Sequence, residues 1–104
     1  MTQLAMIAPT IGQRFAEFHE ANPHVYDMLK TLALQWHRAT GKRIGMKALF
    51  ERARWEIGIT TTDPDFRINN NYTAYYARLL MAQEPDLADM FHLRHSDADM
   101  WVTP

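Results

Sequence analysis

The sequence predicts a mainly α-helical domain, and three observations carry that prediction. Apolar residues recur at i, i+3 and i+4 through 23–41, 46–57 and 72–84. Asn22-Pro23, Gly41, Gly58, Asn70 and Pro85 punctuate those stretches where helices start and stop. The 104 residues are 47% apolar with no cysteine, which is enough for one core of ordinary size built without disulfides or thiolate metal sites.

The first element is a short amphipathic helix over 10–21, with Ile11, Phe15 and Phe18 on one face and Gln13, Arg14, Glu17 and Glu20 elsewhere. Asn22 then offers a side-chain cap, and Pro23 suits the first helical position because it has no N–H to satisfy. Val25, Met28, Leu29, Leu32, Ala33 and Trp36 form the stripe of the second helix, and Gly41 is its C′ residue.

Met46, Leu49, Phe50, Ala53 and Ile57 line the face of a third helix that Gly58 is expected to stop. Its approach, Arg43-Ile44-Gly45, is a candidate short strand. From 59 to 71 the period breaks into Thr60-Thr61-Thr62, Asp63-Pro64-Asp65, Phe66-Arg67-Ile68 and three asparagines, a structured loop or short strand. Asn70 or Asn71 is the expected cap of a last helix with Tyr72, Tyr75, Tyr76, Leu79 and Leu80 inward, ended by Pro85. Leu87, Ala88, Met90 and Phe91 add a turn or two. A β-hairpin pairing 91–94 with 100–103 is an optional close.

That order is the order of a helix-turn-helix or winged-helix domain, whose third helix enters the DNA major groove. One domain over 1–104 is expected, with 1–9 and 95–104 as loose ends. Net charge is −1, but residues 38–78 hold eight Lys/Arg against four Asp/Glu, whereas 79–104 hold one against five. A basic middle fits an anionic partner, and it equally fits a solvated surface of mixed charge.

On the last helix Asn71, Ala74 and Arg78 fall at i, i+3 and i+7 beside Thr73, on the side away from the tyrosines. Asparagine pairs with adenine, arginine with guanine, and small residues admit a close backbone, so these types suit base reading. Lys42, Arg43, Lys47, Arg52, Arg54 and Arg67 are the candidate phosphate contacts, and Asn70 completes the candidate DNA-binding set. Against this stand the long 58–71 connection, Asp97 and Asp99 in the would-be wing, and the plain alternative that the asparagines only cap and Arg78 only solvates. Tyr72, Tyr75 and Tyr76 are expected in the core in preference to a base-stacking platform. Trp55 falls off its helix's core face, so it packs under the 60–68 loop or stands at a partner surface, and packing is the expectation.

No catalytic constellation is present in the sequence. His19 and His24 are five apart with Pro23 between them, His92 and His95 lack a completing ligand pair, and the four glycines form no phosphate loop. The expectation is therefore no enzyme, no metal and no cofactor. The 4–8 run is too short for a signal segment and no stretch reaches membrane-spanning length, so a cytoplasmic protein is expected.

The stretch Arg54-Trp55-Glu56, Thr60-Thr61-Thr62-Asp63, Phe66-Arg67-Ile68-Asn69-Asn70-Asn71-Tyr72 and Tyr75-Tyr76-Ala77-Arg78-Leu79-Leu80-Met81 resembles a family of small phage- and prophage-encoded proteins of unknown function. The resemblance runs from about residue 15 to 94 and is most specific at the asparagine triplet and the helix after it. It implies a phage context and a host-cell location, and it transfers no functional residue. Two partner classes follow: duplex DNA, read by the helix starting near Asn71, or a host or phage protein held by the 59–71 loop. A homodimer is compatible with either.

Overall fold

The computed structural model describes residues 8–63 and 66–91. Four α-helices make up most of it: α1 (Ile11–Ala21), α2 (Pro23–Thr40), α3 (Met46–Thr60) and α4 (Thr73–Gln83), with 3-10 turns at Asn70–Tyr72 and Pro85–Leu87. The mainly α expectation holds, and there is no strand among the described residues, so 43–45, 61–63 and 66–69 are coil. The expected hairpin lies outside the described residues beyond Phe91.

Helix α1 begins in a capping box. The Gln13 N–H donates to Thr10 Oγ1 at 3.1 Å and the Thr10 N–H to Gln13 Oε1 at 2.8 Å, satisfying two otherwise orphaned donors. Its end corrects an expectation, because Asn22 makes no side-chain cap for α2. Its amide Nδ2 donates backward to the Phe18 carbonyl at 3.0 Å, alongside its own N–H at 2.8 Å. A helix C-terminus leaves carbonyls without partners, and Asn22 answers that need, while Pro23 leaves one donor fewer to cap.

Helix α2 buries Val25, Tyr26, Leu29 and Ala33 and packs on α3. Gly41 ends it at φ 64°, the left-handed conformation that closes a helix and that a Cβ makes costly. Trp36, 38% exposed, lies beyond this core and donates Nε1–H to the Lys42 carbonyl at 3.0 Å, pinning the turn into α3.

Helix α3 runs three residues past the expected stop. Gly58 has no positive φ and sits inside the helix, which ends when the Thr61 N–H meets the Ile57 carbonyl and Thr60 Oγ1–H folds back on the Glu56 carbonyl. Nothing in the next two residues demanded a break, so the helix continued through the glycine at a modest entropic cost.

The cap of the following segment is Asn69, neither Asn70 nor Asn71. Its Oδ1 accepts from the Asn71 N–H at 2.8 Å and starts the 3-10 turn that leads into α4. Helix α4 then forms the centre of the fold. Tyr75, Tyr76, Ala77, Arg78, Leu79 and Leu80 are all buried. Six consecutive positions step around more than one full helical turn, so no side of this stretch faces water. The predicted inward tyrosines are core: Phe15 lies 5.2 Å from the Tyr75 ring and 4.7 Å, edge on, from Tyr76, which also meets Phe50 of α3. Tyr72 is likewise buried, 5.3 Å from the ring of Phe18, so the three tyrosines form no exposed stacking platform. Glu84 and Pro85 end α4, and the Tyr26 hydroxyl donates to Glu84 Oε2 at 2.8 Å, tying that end to α2.

Candidate functional site on the third helix and its loop

The residues proposed for base reading do not share an exposed line. Asn71 is exposed and Ala74 half-buried against the core, but Arg78 is only 7% exposed, with Nη1 donating to the Ala74 carbonyl at 3.0 Å. The periodic pattern leaves one side of α4 small and polar, and the surrounding chain covers that side as well. Arg78 is thus part of the interior, and a major groove would not meet it at the middle of this helix.

The basic set is divided as well. Arg43 Nε donates to the Asp89 carbonyl at 2.7 Å, fastening the α2–α3 turn to the segment after α4. Arg54 makes several contacts: its guanidinium pairs with Glu51, donates to Asn70 Oδ1 and, at 3.2 Å, to the Ile68 carbonyl, and lies 5.6 Å above the Phe50 ring. A planar fork with several donors suits this task, since one group satisfies a loop carbonyl and a side chain together. Arg67 is exposed, with Nη1 donating to the Phe66 carbonyl at 2.8 Å. Lys42 and Lys47 extend into solvent, and Lys47 borders a shallow concavity with Phe50, Glu51, Asn70 and Thr73. Thr73 Oγ1–H donates to the Asn70 carbonyl at 3.0 Å. Five of the candidates, Lys47, Arg54, Asn70, Asn71 and Thr73, therefore gather where α3 meets the start of α4, and several of them hold that junction together.

Two further features lie on the same side of the molecule. A groove of about 280 Å³ opens between α3 and its loop, lined by Arg54, Ile57, Gly58, Thr61, Phe66, Arg67 and Ile68. Its floor is apolar and fixed, because Ile68 is buried and Phe66 is held between Phe18 and His24 at ring distances of 6.3 and 5.4 Å. Beside it, Trp55 does not pack under the loop. It is 65% exposed, as is Ile59 one turn on. Its place off the core stripe left both outcomes open and the exposed one holds, whereas Ile59 was hidden by the expectation that α3 stops at Gly58.

Electrostatically this side is balanced. Arg52 pairs with Glu56 at 2.8 Å and Arg54 with Glu51, so both signs alternate along α3. The hydroxyls with pKa values pushed upward, Tyr26 and Tyr76, lie elsewhere in the fold, and burial is the leading cause for both. Among the described residues no group of three or more His, Asp or Glu side chains is placed to hold a metal ion. No described helix is long and apolar enough to cross a membrane.

What the fold and site define is an all-α domain with one tightly wrapped helix and a grooved, partly apolar outer side. Comparison with protein-family models, curated proteins and solved structures returned no match.

Proposed function

We propose that this chain is a protein-interaction module that takes a segment of a partner polypeptide into the groove between α3 and the 61–68 loop. The observation that carries the reading is the groove itself, with an apolar floor of Ile57, Phe66 and Ile68 and guanidinium groups of Arg54 and Arg67 along its lining. Concave apolar sites with a few placed polar groups are the usual form of a binding site. The loop that forms one wall is braced by Arg54, so the cost of ordering it is met before a partner arrives. The resemblance to small phage-encoded proteins makes a host or phage protein the class of partner.

The alternative of duplex DNA has support only from Lys47, Asn70, Asn71 and Thr73, since burial of Arg78 removes the arginine it relied on. One experiment weighs both. Immobilised chain is exposed to host-cell extract, and the wild type should retain a discrete protein that Thr61→Lys with Arg67→Glu releases. Identical retention by that variant would overturn the groove reading. A duplex retarded at low salt and released at high salt, with Lys47→Ala weakening it, would move the assignment to DNA.

A further inference from the structure

A second groove, of about 290 Å³, opens between α2 and α3 beside the turn that joins them. Leu32, Trp36 and Ala39 form its α2 wall, and Ile44 and Leu49 face them across the turn. Trp36 is a fixed part of that wall, because its Nε1–H is held by the Lys42 carbonyl, and its ring is still exposed. Around the turn Arg38, Lys42 and Arg43 outnumber Asp86 and Asp89. Arg38 and Lys42 are exposed, and neither pairs with a carboxylate among the described residues. Arg52, on the α3 side of the groove, is committed to Glu56 and adds nothing to this excess.

The chain passes the same turn as it leaves α4. Asp89 and Met90 border a small cavity with His37, Gly41 and Lys42, and Arg43, the residue before Ile44, holds the Asp89 carbonyl at 2.7 Å. Phe91 is buried there, and residues 92–104 follow it in the sequence. Among them Asp97 and Asp99 lead into Met100-Trp101-Val102, an apolar run behind two carboxylates. We propose that this segment of the chain is the occupant of the α2–α3 groove, with Met100, Trp101 and Val102 on the apolar walls and the two aspartates at the Arg38 and Lys42 rim. Reach, tethering and charge each favour it over an outside partner. Chain from Phe91 to Trp101 spans up to about 33 Å when extended, and the wall from Leu32 to Ala39 is only about 10 Å long. A segment tethered beside the groove meets it at an effective concentration on the order of millimolar, which a free partner must exceed. Its sign is opposite to that of the turn. The groove between α3 and its loop is a poorer seat, because it lies by His24 at the other end of α2, about 27 Å away, and needs the chain almost fully drawn out. The inference concerns a different surface from the groove reading and does not depend on it.

Cysteine cross-linking of the full chain tests it, and because the sequence has no cysteine only the engineered pair can react. Ala39→Cys with Val102→Cys should oxidise to a disulfide within one chain at dilute protein. It should do so about tenfold or more faster than Thr62→Cys with Val102→Cys, whose first site is exposed beyond the far end of α3. Asp97→Asn with Asp99→Asn leaves every groove residue in place, and it should slow the Ala39/Val102 reaction about twofold or more while leaving the Thr62/Val102 reaction unchanged. Equal rates for the two cysteine pairs, a disulfide formed only between two chains, or a rate indifferent to the aspartates would each overturn the proposal. Capture of a partner by the groove between α3 and its loop is read on the wild type in host-cell extract, so either reading can fail alone.

Discussion

Arg78 and Tyr76 stand two residues apart on α4, and both are buried, but only one could be read that way from sequence. Tyr76 belongs to the apolar stripe, so its position follows from period alone. Arg78 is polar and off the stripe, and period assigns such a residue to water unless the chain wraps the helix on that side too. Whether it does is decided by long-range packing, which local spacing does not contain. Among the described residues the buried Tyr76 hydroxyl meets no hydrogen-bond partner, and neither does His19 Nδ1. An unmet buried donor costs about 1–3 kcal/mol. Tyr76→Phe keeps the ring contacts with Phe15 and Phe50 and removes that cost, so its thermal midpoint should equal or exceed the wild type's. A clear fall would show that the hydroxyl is satisfied in solution.

At the scale of elements the sequence was largely legible. All four helices lie where apolar spacing put them, and Pro23, Gly41 and Pro85 mark boundaries as read. The errors fall at residues with two uses. Asn22 caps backward, Asn69 caps in place of its neighbours, and Gly58 continues a helix. Each residue type is favoured at either role, and only the positions of neighbouring carbonyls and donors choose between them. The two glycines make this measurable, since the same substitution should act with opposite sign. Gly41→Ala forces a Cβ into a left-handed residue and should lower stability by about 1–2 kcal/mol. Gly58→Ala fills open space inside a helix and should raise monomer stability by about 0.5–1 kcal/mol. Urea midpoints of both variants, taken at a concentration where the chain is monomeric, check the pair, and a shared sign would contradict the assigned backbone conformations.

Across the whole molecule, sequence located the core and singled out the 59–71 loop, but not the groove that this loop forms with α3. The groove joins Arg54 and Ile57 to Phe66 and Ile68 across a turn with no period, and neither it nor the α3 outer face leaves a one-dimensional signal beyond a tryptophan out of register. The core also sets how the molecule responds to alkali. The Tyr26 and Tyr76 hydroxyls are both raised above the ordinary tyrosine value of about 10, chiefly by burial, with the Glu84 carboxylate adding to the shift at Tyr26. A group raised on folding holds its proton more tightly in the native state, so its contribution is complete below about pH 10 and declines as pH rises beyond it. Urea midpoints should therefore fall steeply above about pH 10, and the double variant Tyr26→Phe with Tyr76→Phe should flatten that fall. An identical decline in the variant would assign alkaline unfolding to other groups.

The enclosure of α4 also has a consequence in time. A ribosome makes α1, α2 and α3 first, yet the rings of Phe15 and Phe50 find their common neighbour only when Tyr76 emerges. Until then the first three helices form a cradle with its contents missing, and the Trp55 and Ile59 side of α3 is not the only apolar surface in water. Of the four described helices the fourth is made last and the others close around it, so its arrival covers their inner apolar faces together.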